Sequence, residues 1–203
     1  MEDLILIGGG GHCKACIDVI EQENRFAVQG IVDLRERRNE KILGYPIMAE
    51  DMEIPILTLR FTHFLVTLGQ IKSPGPRIRL YTAVKEAGGK LPIVVSPSAY
   101  VSPHASIEEG TIVMHGAVVN PGAIIGKNCI INTHAVIEHD VTVESHCHIS
   151  TGAIVNGDAM VRESTFVGSG TVIREGVDIG RASVVGAGLR IMANVPPETL
   201  VRN

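Results

Sequence analysis

The sequence predicts two parallel-sheet units in series: a small α/β unit over residues 1–90 and a parallel β-helix over residues 91–203. Three observations carry this. Apolar runs alternate with helix-period segments up to about residue 90. Beyond Pro92, Val or Ile recurs at every sixth residue through sixteen positions, from Val101 to Ile191. Aromatic residues make up only 3 % of the chain and Trp is absent, although 45 % is hydrophobic, so the interior must be built from Val, Ile and Ala.

In the first unit, residues 4–7 (Leu-Ile-Leu-Ile) form the continuous apolar run that a buried parallel strand requires. A turn of four glycines, Gly8 to Gly11, follows. Ala15, Ile17, Val19 and Ile20 then mark the apolar face of a helix running to Glu23. Residues 28–32 read as a second strand ending at Asp33, residues 64–68 as a third closed by Gly69, and residues 77–87 as a helix stopped by Gly88-Gly89. Strands alternating with helices predict a small, Rossmann-like parallel sheet with right-handed crossovers.

In the second unit the period of six is neither helical nor a simple strand alternation. It fits a coil of three straight sides, each one hexapeptide long, with the Val or Ile inside. The residue two positions earlier turns inward near a tight corner and is mostly small, as at Ala117, Cys129 and Ala153; Val141, Val177 and Leu189 are larger. Gly126, Asn132, Gly168 and Gly180 take the turns. One coil is 18 residues, so residues 101–191 span five coils, a column roughly 25 Å tall at about 4.8 Å per strand. Each coil buries its inner face only against its neighbours. Cys129 and Cys147, one coil apart, should stack as buried hydrophobes. A β-sandwich with accidental periodicity would not keep sixteen β-branched residues in step.

The formal net charge is -4, from 18 basic and 22 acidic residues, which offers nothing to a nucleic-acid backbone or an anionic membrane. The acidic Met1-Glu2-Asp3 start and the short apolar run behind it argue against a secretory signal and for a cytoplasmic protein. Four cysteines do not make a disulfide framework. Cys13-Lys14-Ala15-Cys16 has redox spacing, but it lies within the glycine turn, without a thioredoxin-like surrounding.

The glycine turn between a strand and a helix favours a phosphate, because backbone N–H groups and the helix N-terminus converge there. Gly8, Gly10 and Gly11 are the candidates, although Cys13 occupies the third glycine position of the dinucleotide fingerprint. The alternative is a plain tight turn. Asp33 follows the second strand, where an acid commonly meets a nucleoside; His12 and Gly69, with Gln70 and Arg77 behind them, point to the same pocket. In the column, His139 and Asp140 sit two and three residues past the inward Ile137, at a corner outside the packing. A His with its ordinary pKa near 6.5 suits a general base, and an adjacent carboxylate can orient it; a solvated turn is the bland alternative. His148 precedes the inward Ile149 and so points outward on a flat face, and Gly157, 18 residues after His139, stacks on it.

Three segments carry a family resemblance: residues 6–12 (Leu-Ile-Gly-Gly-Gly-Gly-His), residues 30–33 (Gly-Ile-Val-Asp) and residues 135–140 (Ala-Val-Ile-Glu-His-Asp). In this order they resemble the nucleotide-sugar and sialic-acid acetyltransferases, the hexapeptide-repeat family that includes bacillosamine N-acetyltransferase. The resemblance implies a left-handed coil and a homotrimer with active sites between neighbouring columns. It implies acetyl-CoA lying along the column and a nucleotide-linked amino sugar held by the first unit. It places His148 near the acetyl group. From its 18-residue step past His139, a backbone N–H at Gly157 can serve the thioester oxyanion, and Gly168, Ser169, Gly186 and Ala187 are small enough for a pantetheine arm to lie close; plain turn residues are the alternative at all five positions. No metal is expected. The chain departs from the family in having Gly10 where a small polar residue is usual, Cys13 after the His, Asp140 where Glu is frequent, and residues 195–198 (Val-Pro-Pro-Glu) in place of a Gly-x-Pro-Ala segment.

The reaction so implied is direct transfer, with His139 as base and no acyl-enzyme. Three alternatives stay open. One is O-acetylation of a sialic-acid-like sugar. Another is a zinc enzyme of the hexapeptide carbonic-anhydrase kind, using His134 and His139 with His104 or His115. The last is a non-catalytic trimeric scaffold.

Overall fold

The computed structural model describes residues 1–202. The first unit contains β1 (Glu2–Ile7), α1 (Gly11–Glu23), β2 (Phe26–Val32), β3 (Lys41–Ile42), β4 (Tyr45–Ala49), α2 (Ile54–Leu57), β5 (His63–Val66) and α3 (Gly75–Glu86). Its sheet runs β3-β4-β2-β1-β5, with β1 parallel to both β2 and β5 and β4 parallel to β2. Leu4 to Ile7 are wholly buried because helices cover both sides of β1. On one side lie Cys13, Cys16, Ile17 and Ile20 of α1; on the other, Ile54, Leu57, Leu80 and Val84 of α2 and α3.

Two details differ from expectation. The third strand stops at Val66 rather than residue 68, because the buried Thr67 hydroxyl donates to the carbonyls of Ile7 and Gly8 at 3.1 and 2.7 Å and bends the chain. The antiparallel β3–β4 hairpin and α2 were not predicted. The hairpin turns through Leu43 (φ 47°) and Gly44 (φ 93°), a left-handed pair whose usual first residue is Asn or Asp, so its signal was hidden.

The second unit is a column of three parallel sheets. The first face stacks seven two-residue strands, Val94–Val95, Ile112–Val113, Ile130–Ile131, His148–Ile149, Phe166–Val167, Val184–Val185 and Leu200–Val201. The second begins at Tyr100–Val101 and the third at Ser106–Ile107. Val113, Ile131, Ile149, Val167 and Val185 lie one above another at the 18-residue step. The predicted inward residues form one core from Val113 to Ile191, with Val101 and Ile107 partly covered at its end. The column is longer than residues 101–191. It starts at Val94, and beyond Ile191 it adds a coil two residues short: Val195 pairs with Ile179 and Val201 with Val185, each a 16-residue step.

All four cysteines are free and buried. Burial pushes Cys13 up to about 11 and Cys129 up to about 12, the opposite of a redox thiol. Cys129 and Cys147 stack as expected, yet they are more than hydrophobes. Thr111, Cys129, Cys147 and Thr165 donate in turn to the carbonyls of Gly126, Glu144, Arg162 and Gly180, at 2.8, 3.2, 3.1 and 3.1 Å. Every step is 15 residues, a side-chain ladder up one corner. Ser183 continues it to Pro196 at 3.0 Å in 13 residues, the same two-residue shortening.

The two units share a core. The outward side chains of the first face, Val94, Ile112 and Ile130, join the α1 cluster instead of meeting solvent. Buried Arg77 of α3 rivets the junction: Nη1 donates to Val66 and Leu68 carbonyls at 2.9 and 2.5 Å, and Nη2 to the Asn128 carbonyl and Oδ1 at 3.2 and 2.8 Å. His115 bridges Asp18 of α1 (2.9 Å) and Ser96 (2.6 Å). The second face has no such cover, and its outward Val118, Val136, Ile154 and Val172 are half-buried. No helix among the described residues is long and apolar enough to cross a membrane.

Candidate active site

The predicted residues fall into two groups, one at each edge of the second face. The first is a cleft of about 440 Å³ at the junction of the units, lined by Gly10, Gly11, His12, Leu68, Gly69, Gln70, Ile71, Asn132 and His148. It lies at the open end of the sheet because the glycine turn leaves β1 and the residue 67–70 turn leaves β5 side by side. Gly10 is the N-cap of α1 with no side-chain cap, and the first turn carries no acid. A Cβ on Gly10 or Gly11 would touch nothing within 4 Å, so the helix start faces open space. Gly8 has another role: its φ of +103° and its packing against Leu68 make it a turn residue.

His148 does point out of the column, but not onto a free face; the turn after β5 covers it. Its Nδ1 lies 2.6 Å from the Gln70 carbonyl and must donate, so Nε2 accepts from Asn132 Nδ2 at 3.0 Å. Burial lowers its pKa to about 4 and that of His12 to about 3. Both rings, 6.4 Å apart, are therefore neutral at ordinary pH. The His12 Nε2 and Gln70 Oε1 atoms are buried without a hydrogen-bond partner.

The second group is His139 with Asp140. His139 Nδ1 lies 2.9 Å from Asp140 Oδ2, so the shorter acid does reach the ring. Asp140 adopts a left-handed φ of 61°, which turns its carboxylate back towards its neighbour. Both side chains are about two-thirds exposed. The hydrogen bond that His139 donates to Asp140 raises the His139 pKa above its ordinary value, with the charges of Asp140, Glu138 and Glu175 adding to it. The ring lies flat against Gly157, where a Cβ would come within 2.6 Å of Cε1.

Gly168, Ser169, Gly186 and Ala187 stack along the cleft's own corner, above Asn132 and Ser150. Ser169 Oγ is 2.9 Å from Ser150 Oγ. A Cβ on Gly168 would lie 2.5 Å from the Ala187 nitrogen, so that corner must be glycine for packing alone. Asp33 accepts from Gly9 and Leu34 nitrogens at 3.0 and 2.8 Å and pairs with Arg37. Sequence reasoning missed Asn132 as a site residue, reading it only as a turn, and Leu68 and Ile71 altogether. Their roles arise from the docking of two units, which local patterns do not register. His134 lies on Gly116 at the first corner and His139 at the second, while His115 is held by Ser96 and Asp18. Another hollow, of about 460 Å³, near the C-terminal coil contains none of the predicted residues; Arg162 spans it between Glu144 and Asp178.

The PglD N-terminal domain matches residues 3–79 and the bacterial transferase hexapeptide (six repeats) matches residues 104–139. Perosamine N-acetyltransferase from Caulobacter crescentus, solved as a histidine mutant in complex with CoA and GDP-perosamine, is similar over 98 % of this chain and 93 % of its own. The two share 31 % identity, with a TM-score of 0.92. The chain belongs to the hexapeptide-repeat sugar acetyltransferases. Another structure similar to this family member is the acetyltransferase domain of PglB from Neisseria gonorrhoeae in complex with acetyl coenzyme A, at 28 % identity and TM-score 0.90, covering 98 % of this chain and 95 % of that one. WeeI from Acinetobacter baumannii, at 19 % identity and TM-score 0.78, covers 100 % of this chain and 98 % of its own and shares the fold. No curated protein matches the chain. The column is thus the left-handed β-helix of hexapeptide sugar acetyltransferases, an exception to the right-handed rule for crossovers.

Proposed function

We propose that the protein transfers an acetyl group from acetyl-CoA to the amine of a nucleotide-linked sugar, and that two copies of the chain build each site. One observation carries this reading. The cleft and the His139–Asp140 pair belong to the same coil yet flank opposite edges of a face whose outward Val118, Val136, Ile154 and Val172 are apolar and uncovered by the first unit. Packing three such faces around an axis would cover Val118, Val136, Ile154 and Val172 and bring the His139 of one subunit to the cleft of the next. The similar structures holding CoA with GDP-perosamine, or acetyl coenzyme A, support the ligands.

In the reaction, the neutral amine attacks the thioester carbonyl while His139 Nε2 takes its proton. Asp140 holds the Nδ1–H and stabilises the imidazolium. The backbone N–H of Gly157 is the available partner for the carbonyl oxygen, since its neighbours Asn156 and Asp158 already donate to Ile173 and His139. The tetrahedral intermediate then expels the CoA thiolate, which His139 reprotonates. The glycine turn and the start of α1 hold the diphosphate. The corner of Gly168, Ser169, Gly186 and Ala187 lies beside the CoA arm, and the protein works in the cytoplasm, where these substrates are made.

The test measures CoA release from acetyl-CoA with a panel of GDP-, UDP- and dTDP-linked amino sugars and with free sialic acids. Wild type is expected to turn over one amino sugar, and His139→Ala to lose about a hundredfold or more. Turnover surviving in His139→Ala removes the base, and turnover on sialic acid alone replaces the substrate class.

A further inference from the structure

Arg37, in the turn after β2, closes a clamp on the glycine turn. Both peptide groups that flank the Gly9 Cα are held: the Gly9 N–H donates to Asp33 Oδ2 at 3.0 Å, and the Gly9 carbonyl accepts from Arg37 Nη1 at 3.1 Å. The same Nη1 pairs with the same Asp33 oxygen, which closes the triangle. Asp33 is thereby engaged, with its other oxygen on the Leu34 nitrogen at 2.8 Å. Nothing else fits at Gly9, since a Cβ there would lie 2.7 Å from Asp33 Oδ2 and 3.4 Å from Arg37 Nη1. The next residues, Gly10 and Gly11, open α1 with no cap and no neighbouring atoms.

Glycine peptides rotate freely, and a helix start binds an anion only when its N–H groups point at it. We infer that Arg37 is a positioning residue for the nucleotide half of the acceptor: it fixes the Gly9–Gly10 peptide and so aims the free N–H groups of Gly10, Gly11 and His12 at the diphosphate. This rests on the proposed use of the glycine turn for a nucleotide-linked sugar. Asp33, expected from the sequence to touch the nucleoside, serves the clamp. The charge of Arg37 is already countered by Asp33 and by Glu40, 3.0 Å from Nε, so its geometry and not its charge is the contribution. Lysine cannot reproduce it, because one ammonium on a flexible stem cannot keep the Glu40 contact made by Nε while also meeting Gly9 and Asp33 as Nη1 does.

The experiment titrates GDP, UDP, dTDP and, separately, acetyl-CoA into wild type, Arg37→Met, Arg37→Lys and Glu40→Gln by calorimetry, with a melting curve for each. Wild type is expected to bind at least one diphosphate. Arg37→Met and Arg37→Lys should both weaken it about tenfold or more, with acetyl-CoA affinity retained; Glu40→Gln should bind as wild type. In turnover, the acceptor KM should rise with kcat within about threefold. Wild-type diphosphate affinity in Arg37→Met, full rescue by Arg37→Lys, equal loss of both ligands, or a wild type that binds no diphosphate each overturns the clamp. Binding needs no acetyl transfer. A wild type that binds a diphosphate but acetylates no amino sugar therefore overturns the proposed reaction and leaves the clamp standing.

Discussion

At the scale of the residue, the proposed base His139 and its proposed orienter Asp140 lie only two and three positions past the core residue Ile137, and that short distance defines their chemistry. Ile137 is sealed inside, while His139 stands in solvent with its pKa set by a neighbour rather than by burial. A base whose pKa is raised loses its neutral form as pH falls through that raised value. The acid limb of kcat/KM should therefore lie above pH 6.5. Asp140→Asn removes the main raising contribution, so the limb should move to lower pH, with kcat/KM down about tenfold or more because the ring loses its orienter. A pH–rate profile of both proteins checks this, and an unmoved limb would mean that Asp140 does not act on the titrating group. The corner placement of His139 was legible from its offset to Ile137, and the stacking on Gly157 from the 18-residue step. The state of His148 was not. An outward position in a strand reads as exposed until another unit covers it, and the cover comes from Gln70, 78 residues away.

At the scale of the element, the hexapeptide pattern announced the column because each coil repeats one steric problem. The same repetition reveals what the pattern left out. The ladder of Thr111, Cys129, Cys147, Thr165 and Ser183 places a donor beneath a corner carbonyl in every coil. From the sequence these were only small residues. Their polarity looked incidental, since Ala fills the equivalent place at other corners. Thr165 also accepts from the Ser183 nitrogen at 3.4 Å, so it serves two backbone groups. Thr165→Val keeps the shape and removes both bonds. It should cost about 1–3 kcal/mol, read as a lowered Tm, whereas Thr165→Ser should cost less. A Tm for Thr165→Val equal to wild type would show the ladder to be decorative. The shortened last coil escaped the sequence because the repeat was counted in sixes and breaks after Ile191. The β3–β4 hairpin escaped because Leu43 occupies a left-handed position that propensity assigns to Asn or Asp.

At the scale of the whole molecule, the first unit and the column are joined by buried groups that neither can satisfy alone. Arg77 reaches from α3 to Asn128, and the neutral His148 is held between the Gln70 carbonyl and Asn132. In the proposed reading, this rigid junction supplies one half of the site at the first edge of the second face, and His139 the other half at the second edge. If a single chain used both, it would have to bring together groups held at opposite edges of the second face, with that packed face between them. A ring of three copies needs no such motion. The arrangement predicts complementation. His148→Ala damages only the cleft, and His139→Ala damages only the base. Each homo-oligomer should be nearly inactive. When the two are unfolded together, or co-expressed, and reassembled in equal amounts, about a quarter of the sites pair an intact cleft with an intact base from the neighbouring subunit. Activity should return to about a quarter of wild type after co-assembly, and not on simple mixing if the trimers exchange slowly. Co-assembled trimers that stay as inactive as their parents would place both halves of the site in one chain and force the second face to some other use.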